Sequence, residues 1–206
     1  MKGTFLHFPK SKSTRPLKDM VRENIFNILL YSNKISLKFK PSDVLDLYAG
    51  SGSFGLECLS RNANKVCFVE NEKKALDVLE KNIKNLKKKE KAVVFANDVF
   101  DVINKQNKFN FDLIFCDPPF ANNNIKDLID LISKKSLLKK NGIVVLHRNK
   151  ITKDTFSKNF KIIDERIYGI SKIIFGQILS WKNFLSNNFN ILYSWLIKWI
   201  YIHHTR

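Results

Sequence analysis

Residues 44–55 have the sequence VLDLYAGSGSFG, and this stretch decides the fold that we expect. A short apolar run bounded by glycines is typical of a buried strand. A glycine-rich turn that follows a strand and opens a helix is typical of a unit that binds a nucleotide. We therefore predict that residues 44–47 form a strand and that a helix covers about residues 54–61.

The alternation of strands and helices continues along the chain. Further strands are predicted at residues 66–69, 92–96, 111–116 and 143–146. Further helices are predicted at residues 16–31, 72–86 and 125–133. Two last strands, at residues 160–168 and 171–175, flank a Tyr-Gly-Ile turn and are predicted to form an antiparallel hairpin. This order predicts an α/β protein with a doubly wound, seven-stranded, mostly parallel sheet.

The glycine turn has two interpretations. Its spacing Gly50-x-Gly52-x-x-Gly55 matches the dinucleotide pattern, and Glu70 follows about twenty residues after Gly50. That pattern alone would suggest NAD and a dehydrogenase. However, Asp46 stands four residues before the first glycine, where it could meet an ammonium group rather than a diphosphate. We therefore favour S-adenosylmethionine, whose amino group Asp46 could bind directly or through water.

Acidic residues at the ends of the next two strands fit the same cofactor. The carboxylate of Glu70 could accept hydrogen bonds from both ribose hydroxyls. Asp98 could accept from the adenine amino group, with Phe100 as an apolar neighbour. Gly50 and Gly52 would allow the backbone to approach the ligand closely. Each acid could also be an ordinary solvated residue at a strand end, but the pair on consecutive strands favours binding.

The predicted fourth strand ends in Asp117-Pro118-Pro119-Phe120. Each proline fixes its own φ and restricts the residue before it, so this corner is stiff. The Asp117 carboxylate and the Pro118 carbonyl could accept the two hydrogens of a planar exocyclic amine, and Phe120 could stack on its ring. The alternative is that the prolines only end the strand and Asp117 caps a turn. Nicotinamide chemistry needs no such corner, so its presence counts against NAD.

The overall charge suggests a polyanionic partner. The 206 residues carry a net charge of +17 at pH 7, and the isoelectric point is about 9.8. Biased codon usage, which also enriches Lys, Asn, Ile and Phe, could explain part of this charge. The candidate contacts to a nucleic acid are the cations before the first helix and those after the fifth strand: Arg15, Arg22, His147 and Arg148.

The remaining composition predicts a cytoplasmic protein. Cys58, Cys67 and Cys116 have no C-x-x-C spacing and lie in apolar contexts, which predicts reduced thiols. The four histidines have no ligand spacing, so no metal is expected. Residues 1–12 lack the apolar run of a secretion signal.

Together these residues resemble the class I S-adenosylmethionine-dependent methyltransferases. More narrowly, the chain resembles the bacterial 16S rRNA (guanine-N2)-methyltransferases over about residues 2–177. The resemblance is carried by the segments TRP at 14–16, VRE at 21–23, FN at 26–27, LDLYAGSGSFGLECLSR at 45–61, DPPF at 117–120 and RIYGIS at 166–171. It implies a Rossmann-like fold that binds the cofactor through Asp46, Gly50, Gly52, Glu70 and Asp98. It also implies that residues 117–120 grip the target guanine and that residues 15–22 border the active site.

The expected activity is therefore transfer of a methyl group to guanine N2 in 16S ribosomal RNA. We expect a monomer that acts on an assembling 30S particle. One alternative is adenine-N6 methylation of DNA, which uses a similar acid-Pro-Pro-aromatic corner. Another is an RNA-binding or ribosome assembly factor without turnover. Methylation of a protein glutamine is disfavoured because that corner usually has Asn in place of Asp117.

We expect three parts in the chain. Residues 1–35 are a basic segment and helix that belong to the catalytic domain, and residues 36–177 are the methyltransferase domain proper. Residues 178–206 are rich in aromatic residues and contain no acid. The apolar segment 191–202 is shorter than the roughly 20 residues that span a bilayer. We expect this tail to be a packed or loosely ordered appendage, with an interfacial membrane contact as a less favoured alternative.

Overall fold

The computed structural model describes residues 19–35, 37–86, 89–105, 110–119 and 124–179. Within these ranges one seven-stranded sheet has the order β3-β2-β1-β4-β5-β7-β6. The helices are α1 (Asp19–Tyr31), α2 (Ser53–Ser60), α3 (Lys73–Asn85), α4 (Val99–Lys105) and α5 (Ile125–Lys134). The strands are β1 (Asp43–Leu47), β2 (Lys65–Glu70), β3 (Ala92–Ala96), β4 (Phe111–Cys116), β5 (Leu138–Asn149), β6 (Phe160–Tyr168) and β7 (Ser171–Ile178).

The strand pairing confirms the predicted doubly wound sheet. Strands β1 to β5 are parallel to one another, whereas β7 is antiparallel to both β5 and β6. Both sheet faces are covered, because alternate residues of the central strands enter two separate apolar cores. In β4, Leu113 and Phe115 belong to the core under α1, α2 and α3, and Ile114 and Cys116 belong to the core under α4 and α5. The apolar runs of the sequence thus reflect strands buried on both faces.

An aromatic stack joins the first helix to the centre of the sheet. The ring of Phe54 lies 3.8 Å from that of Phe115 and 5.0 Å from that of Phe26, measured between centroids. Aromatic pairs at such distances add about 0.5–1.5 kcal/mol beyond the area that they bury. The guanidinium of Arg61 covers the Phe26 ring at 4.6 Å. The stack fixes α1 and the start of α2 over the end of β4.

Strands β5 and β7 are longer than the sequence predicted, and β7 ends at Ile178 rather than at residue 175. Strand β5 covers Leu138–Asn149 rather than 143–146, because the polar segment 139–142 continues the strand beside β4 and the residues after Leu146 pair with β7. The first helix begins at Asp19 in the described residues, so its predicted start at Pro16 lies outside them. Of the predicted C-terminal appendage, only residues 178 and 179 are described. Among the described residues, no helix combines the length and the hydropathy that a membrane span requires.

The three cysteines lie in the core, as predicted, and form no disulfide. Burial raises the pKa of each thiol, in the case of Cys67 to about 11. Such thiols are poor nucleophiles at neutral pH, because the thiolate is the reactive form. We therefore give the cysteines no role in the chemistry of this protein.

Candidate active site

The candidate site lies where the chain reverses its direction across the sheet. From β1 the chain winds outward through β2 to β3 and then crosses to β4 on the other side of β1. Ligands of open α/β sheets bind at such a switch point, outside the carboxyl ends of the strands. Leu47 pairs with both Val69 and Cys116, so Glu70 and Asp117 follow on either side of the end of β1.

The turn after β1 is built from residues in the left-handed region. Tyr48, Gly50 and Gly52 have φ values of 59°, 55° and 77°. A Cβ at Gly52 would lie 2.3 Å from a methyl of Leu79, so packing as well as φ favours glycine there. A Cβ at Gly50 would meet nothing within 4 Å. The protein therefore leaves open space beside the Gly50 backbone, as a ligand that approaches this turn requires.

Asp46 is a buried carboxylate directly beneath the turn. Its side chain is almost inaccessible, with 1% of the residue exposed, and Oδ2 accepts a hydrogen bond from the Gly55 N–H at 2.9 Å. Burial raises the pKa of Asp46 well above its ordinary value, and the negative charges of Asp117 and Glu70 raise it further. The hydrogen bond from Gly55 opposes this shift. Asp46, Glu70 and Asp117 thus form an electrostatically coupled group, which we call the acidic triad.

Glu70 fixes the turn to the end of β2. One oxygen accepts from the Gly50 N–H at 2.7 Å, and the other accepts from the N–H groups of Asn71 and Glu72 at 2.8 Å each. A carboxylate has about four lone-pair sites, so these three bonds leave room for a hydrogen bond from one ribose hydroxyl, on the oxygen that binds Gly50, rather than from both. The structure adds a role that the sequence did not suggest, because Glu70 holds Gly50 in place.

Asp98 lies beside the same edge of the sheet. Glu70 pairs with Ala96, two residues before Asp98. Oδ1 of Asp98 accepts from the Phe100 N–H at 2.8 Å and from the Asp101 N–H at 3.4 Å, as N-cap residues do. Phe100 is half-buried and packs against the core under α4 and α5. Asp98 is therefore held rigidly at the start of α4, and its contact with adenine stays a prediction.

The corner after β4 projects from the centre of this edge. The Asp117 N–H donates to the Leu47 carbonyl at 3.3 Å, so the corner stays anchored to β1. The Asp117 side chain is 22% exposed, and its Oδ1 lies 2.7 Å from Nδ1 of His147. Pro118 is buried and Pro119 is exposed. Phe120, the predicted stacking residue, lies outside the described residues.

The structure separates the predicted substrate contacts. His147 is 6% exposed and faces Asp117, whereas Arg148 is fully buried. The guanidinium of Arg148 pairs with Asp154 at 3.0 Å. This burial does not fit the predicted contact of Arg148 with a substrate, and the ion pair instead ties the β5–β6 connection to the sheet. The sequence prediction ended the strand at residue 146, whereas β5 stays paired with β7 as far as Asn149, so Arg148 lies within the sheet and not beyond a strand end.

The two predicted N-terminal contacts have different outcomes. Arg15 lies outside the described residues. Arg22 lies on α1, one turn before Phe26, and its guanidinium pairs with Asp19 at 2.7 Å. Its position beside the active site stays a prediction.

Two polar residues near the site had no predicted role. Asn82 is fully buried on the apolar face of α3 and donates to the Ser51 carbonyl at 3.0 Å, so it supports the glycine turn. An asparagine in the apolar stripe of a helix is the signal that could have identified it. Ser171 is the first residue of β7, and its Oγ lies 2.9 Å from Nε2 of His147. Within the described ranges, no cluster of three or more His, Cys, Asp or Glu side chains could hold a metal ion.

Comparison with known proteins identifies the family. The family model described as "Conserved hypothetical protein 95" matches residues 1–177. The chain is 35% identical over 172 residues to Ribosomal RNA small subunit methyltransferase D of Haemophilus influenzae. The alignment covers 82% of this chain and 86% of that protein. A protein of the same name from Buchnera aphidicola is 32% identical over 167 residues, with 81% of this chain and 84% of that protein covered.

A solved structure agrees with these relatives. A crystal structure from Haemophilus influenzae, described as a "putative methylase", is 33% identical and superposes with a TM-score of 0.67. The superposition covers 79% of this chain and 98% of that one. The seven-stranded sheet with its antiparallel terminal hairpin is thus the class I methyltransferase fold, as predicted. The chain therefore belongs to the Conserved hypothetical protein 95 family of class I methyltransferases, whose relatives include Ribosomal RNA small subunit methyltransferase D.

Proposed function

We propose that this protein transfers the methyl group of S-adenosylmethionine to N2 of a guanine in small-subunit ribosomal RNA. One observation carries the proposal: the stiff Asp117 corner follows β4 directly beside β1, the strand that contains Asp46 and leads into the glycine turn. A corner suited to an exocyclic amine and a turn suited to a nucleotide therefore border the same crevice. The names of the relatives support ribosomal RNA as the substrate.

The acidic triad fits a cationic ligand. Asp46 and Glu70 have no ion pair with Lys or Arg among the described residues, and the described partner of Asp117 is a histidine. S-Adenosylmethionine carries an ammonium and a sulfonium, so its charge would offset the mutual repulsion of these carboxylates. Asp46 would hold the ammonium, Glu70 the ribose and Asp98 the adenine, and the open space at Gly50 would admit the ligand. When bound, the cofactor supplies an electrophilic methyl group.

The corner would prepare the target nitrogen. The Asp117 carboxylate and the Pro118 carbonyl would each accept one N–H of the guanine amine, which turns the nitrogen lone pair out of conjugation with the ring. The lone pair of this nitrogen would form the bond to the methyl group, the electron pair of the broken S–C bond would stay on sulfur, and the methylated nitrogen would then release one proton to solvent. Catalysis is mostly positioning, with oxygen dipoles aimed at the developing positive charge. The guanine must leave its stack, at a cost of a few kcal/mol.

The proposed partner is an assembling 30S particle in the cytoplasm, and we propose that the enzyme acts as a monomer. The net charge of +17 favours association with RNA. The family match ends at residue 177, so we propose that the tail from 178 is an appendage and not part of the catalytic domain.

The test offers the full-length protein a tritiated-methyl donor with four acceptors. These are 30S particles, naked 16S rRNA, duplex DNA and a protein extract without RNA. We expect label in the 30S particles and, after digestion to nucleosides, label that comigrates with N2-methylguanosine. Label in N6-methyladenine of DNA or in protein would overturn the proposal. A complete lack of label, with 30S binding intact, would instead support the assembly factor without turnover.

A further inference from the structure

We propose that His147 and Ser171 position the catalytic carboxylate of Asp117. Nδ1 of His147 lies 2.7 Å from Oδ1 of Asp117, and Nε2 lies 2.9 Å from Oγ of Ser171. Three side chains, from the corner after β4, from β5 and from β7, thus form one hydrogen-bonded row that ends in the crevice. The inference rests on the proposed function only in giving Asp117 a catalytic role, because the hydrogen-bonded row itself is independent of the reaction.

The sheet register explains how the three hydrogen-bonded side chains come together. Cys116 pairs with Leu146, so Asp117 and His147 are next to each other just beyond the paired ends of β4 and β5. Phe115, Val145 and Ile173 enter the core under α1 and α2, and residues two positions away on each strand share that face. Asp117, His147 and Ser171 therefore project from the same face of the sheet. The antiparallel pairing of β7 with β5 is what brings Ser171 to this row.

The contact with Asp117 defines which nitrogen of the imidazole carries the shared proton. An ionised carboxylate can only accept, so Nδ1 of His147 carries the proton of the bond to Asp117. In the neutral imidazole Nε2 is then an acceptor, and the Ser171 hydroxyl donates to it. His147 and Ser171 are 6% and 7% exposed, so water competes little for either bond. This arrangement fixes the ring and, through Nδ1, fixes the torsion of the Asp117 carboxylate.

The fixed torsion decides where the second oxygen of Asp117 points. An aspartate side chain has a broad, roughly two-fold terminal torsion, so an unrestrained carboxylate would sample other orientations. Because Oδ1 is engaged by His147, Oδ2 is directed by the same constraint, and we assign it the amine hydrogen of the target. A misplacement of about 1 Å costs on the order of 100-fold in rate. His147 is therefore a positioning residue, and the predicted contact with substrate is replaced by an action through Asp117.

Variants at position 147 test this assignment. In His147→Asn the side-chain amide can place an N–H close to the position of Nδ1, whereas His147→Leu removes the donor and keeps the bulk. We expect His147→Leu to lower kcat by about 10- to 100-fold while the KM for the cofactor stays within twofold. His147→Asn should recover kcat to within about fivefold of the wild type. Equal losses in both variants, or an unchanged kcat in His147→Leu, would overturn the proposal.

A matched pair of serine variants separates positioning from general stability. Ser171→Ala removes the hydroxyl that orients His147 and should lower kcat by about threefold to tenfold. Ser133→Ala removes a hydroxyl that accepts a hydrogen bond of 2.7 Å from Asn159, but at the end of α5, near the opposite edge of the sheet. This control should leave kcat unchanged at a comparable loss of thermal stability. Equal kcat losses in the two variants would contradict the role of Ser171.

An NMR measurement tests the hydrogen-bonded row without any activity. Imidazole ¹⁵N shifts of the full-length protein should show His147 as the tautomer protonated at Nδ1, and Asp117→Ala should move the Nδ1 signal. A tautomer protonated at Nε2, or no response to Asp117→Ala, would overturn the inference even in an active enzyme. If NMR shows the hydrogen bonds among Asp117, His147 and Ser171 but no acceptor is methylated, the proposed function fails and this inference about the geometry stands.

Discussion

The parallel strands of the sheet begin at one edge, the amino edge, and end at the other, the carboxyl edge. These two edges use aspartate in opposite ways. At the amino edge, Asp43 and Asp112 share the ammonium of Lys139, at 3.1 Å and 2.8 Å. Asn64 donates to the other oxygen of Asp43 at 2.8 Å. At the carboxyl edge, the acidic triad gathers three carboxylates, and none of them has an ion pair with Lys or Arg in the described part of the chain. The amino edge therefore offsets part of its negative charge with its own lysine, and the carboxyl edge has no such lysine or arginine partner among the described residues.

The contrast shows that residue type alone does not identify a binding site. The carboxylates at the amino edge tie β1, β4 and β5 together, and their charge has a use within the fold. Those at the carboxyl edge repel one another, which raises the pKa of Asp46 beyond the effect of burial. Repulsion of this kind lowers stability, and the trade-off between stability and function makes it typical of binding sites.

The largest expected effect on the rate of methyl transfer comes from comparing an aspartate-to-alanine variant at each edge. Asp117→Ala should lower the rate of methyl transfer at least about 1,000-fold, because both its proposed positioning and its electrostatic contribution are lost. Asp112→Ala, at the amino edge, should leave the rate within twofold and lower only the thermal stability. Single-turnover methylation of 30S particles and a thermal melt measure both. Comparable rate losses in the two variants would remove the distinction between the edges.

Alanine substitutions at two glycines of the carboxyl edge should have smaller effects, which differ between stability and binding. A Cβ at Gly55 would lie 2.3 Å from the Phe68 ring, which is fully buried. Gly55→Ala should therefore lower the free energy of unfolding by about 1–3 kcal/mol. Gly50→Ala has open space but a φ of 55°, so we expect a loss of about 1 kcal/mol.

Urea titrations of both glycine variants supply the measurement. We also expect Gly50→Ala, and not Gly55→Ala, to weaken cofactor binding by more than its stability loss explains. The opposite ranking in binding would mean that the open space beside Gly50 is unrelated to the ligand.

A still smaller effect follows from the burial of Asp46. Its pKa is raised in the folded state, so between the ordinary value of 3.8 and the raised value the folded protein binds the extra proton. Its contribution to stability therefore falls as the pH rises through that window. Asp46→Asn should remove this dependence and raise the stability of the ligand-free protein by about 1 kcal/mol at pH 7. Urea titrations at pH 4.5 and pH 7 test it, and a variant less stable than the wild type at both would contradict it.

The fold was predictable because apolar runs and glycine turns are local signals. Strands β1 to β4 were predicted to within a residue or two at each end, since both faces of these strands are buried and their apolar residues are continuous. Strand β5 was predicted too short, because its start is polar and is stabilised by pairing with β4, and its end depends on β7. Pairing between distant segments is a tertiary feature that no local pattern records.

The carboxylates that the candidate site has at strand ends were predictable from the sequence, but the hydrogen bonds that they make were not. Glu70 and Asp117 were predicted because each directly follows an apolar run, and Asp46 because it stands four residues before Gly50. The burial of Arg148 and the use of His147 by Asp117 depend on a strand more than twenty residues later in the chain. Glu70 likewise binds the backbone of a turn twenty residues earlier. Sequence patterns therefore located the carboxylates but not the side chains that orient them.

Calorimetric titration of S-adenosylmethionine into the wild type, Asp46→Asn and Asp43→Asn tests the central claim most directly. If the uncompensated carboxylates of the carboxyl edge form the cofactor site, one molecule binds per chain. Asp46→Asn should then weaken binding at least about tenfold, equivalent to 1.4 kcal/mol. Asp43→Asn, whose carboxylate is already paired with Lys139, should bind within twofold of the wild type. Equal affinity in all three proteins, or a greater loss in Asp43→Asn, would contradict the account.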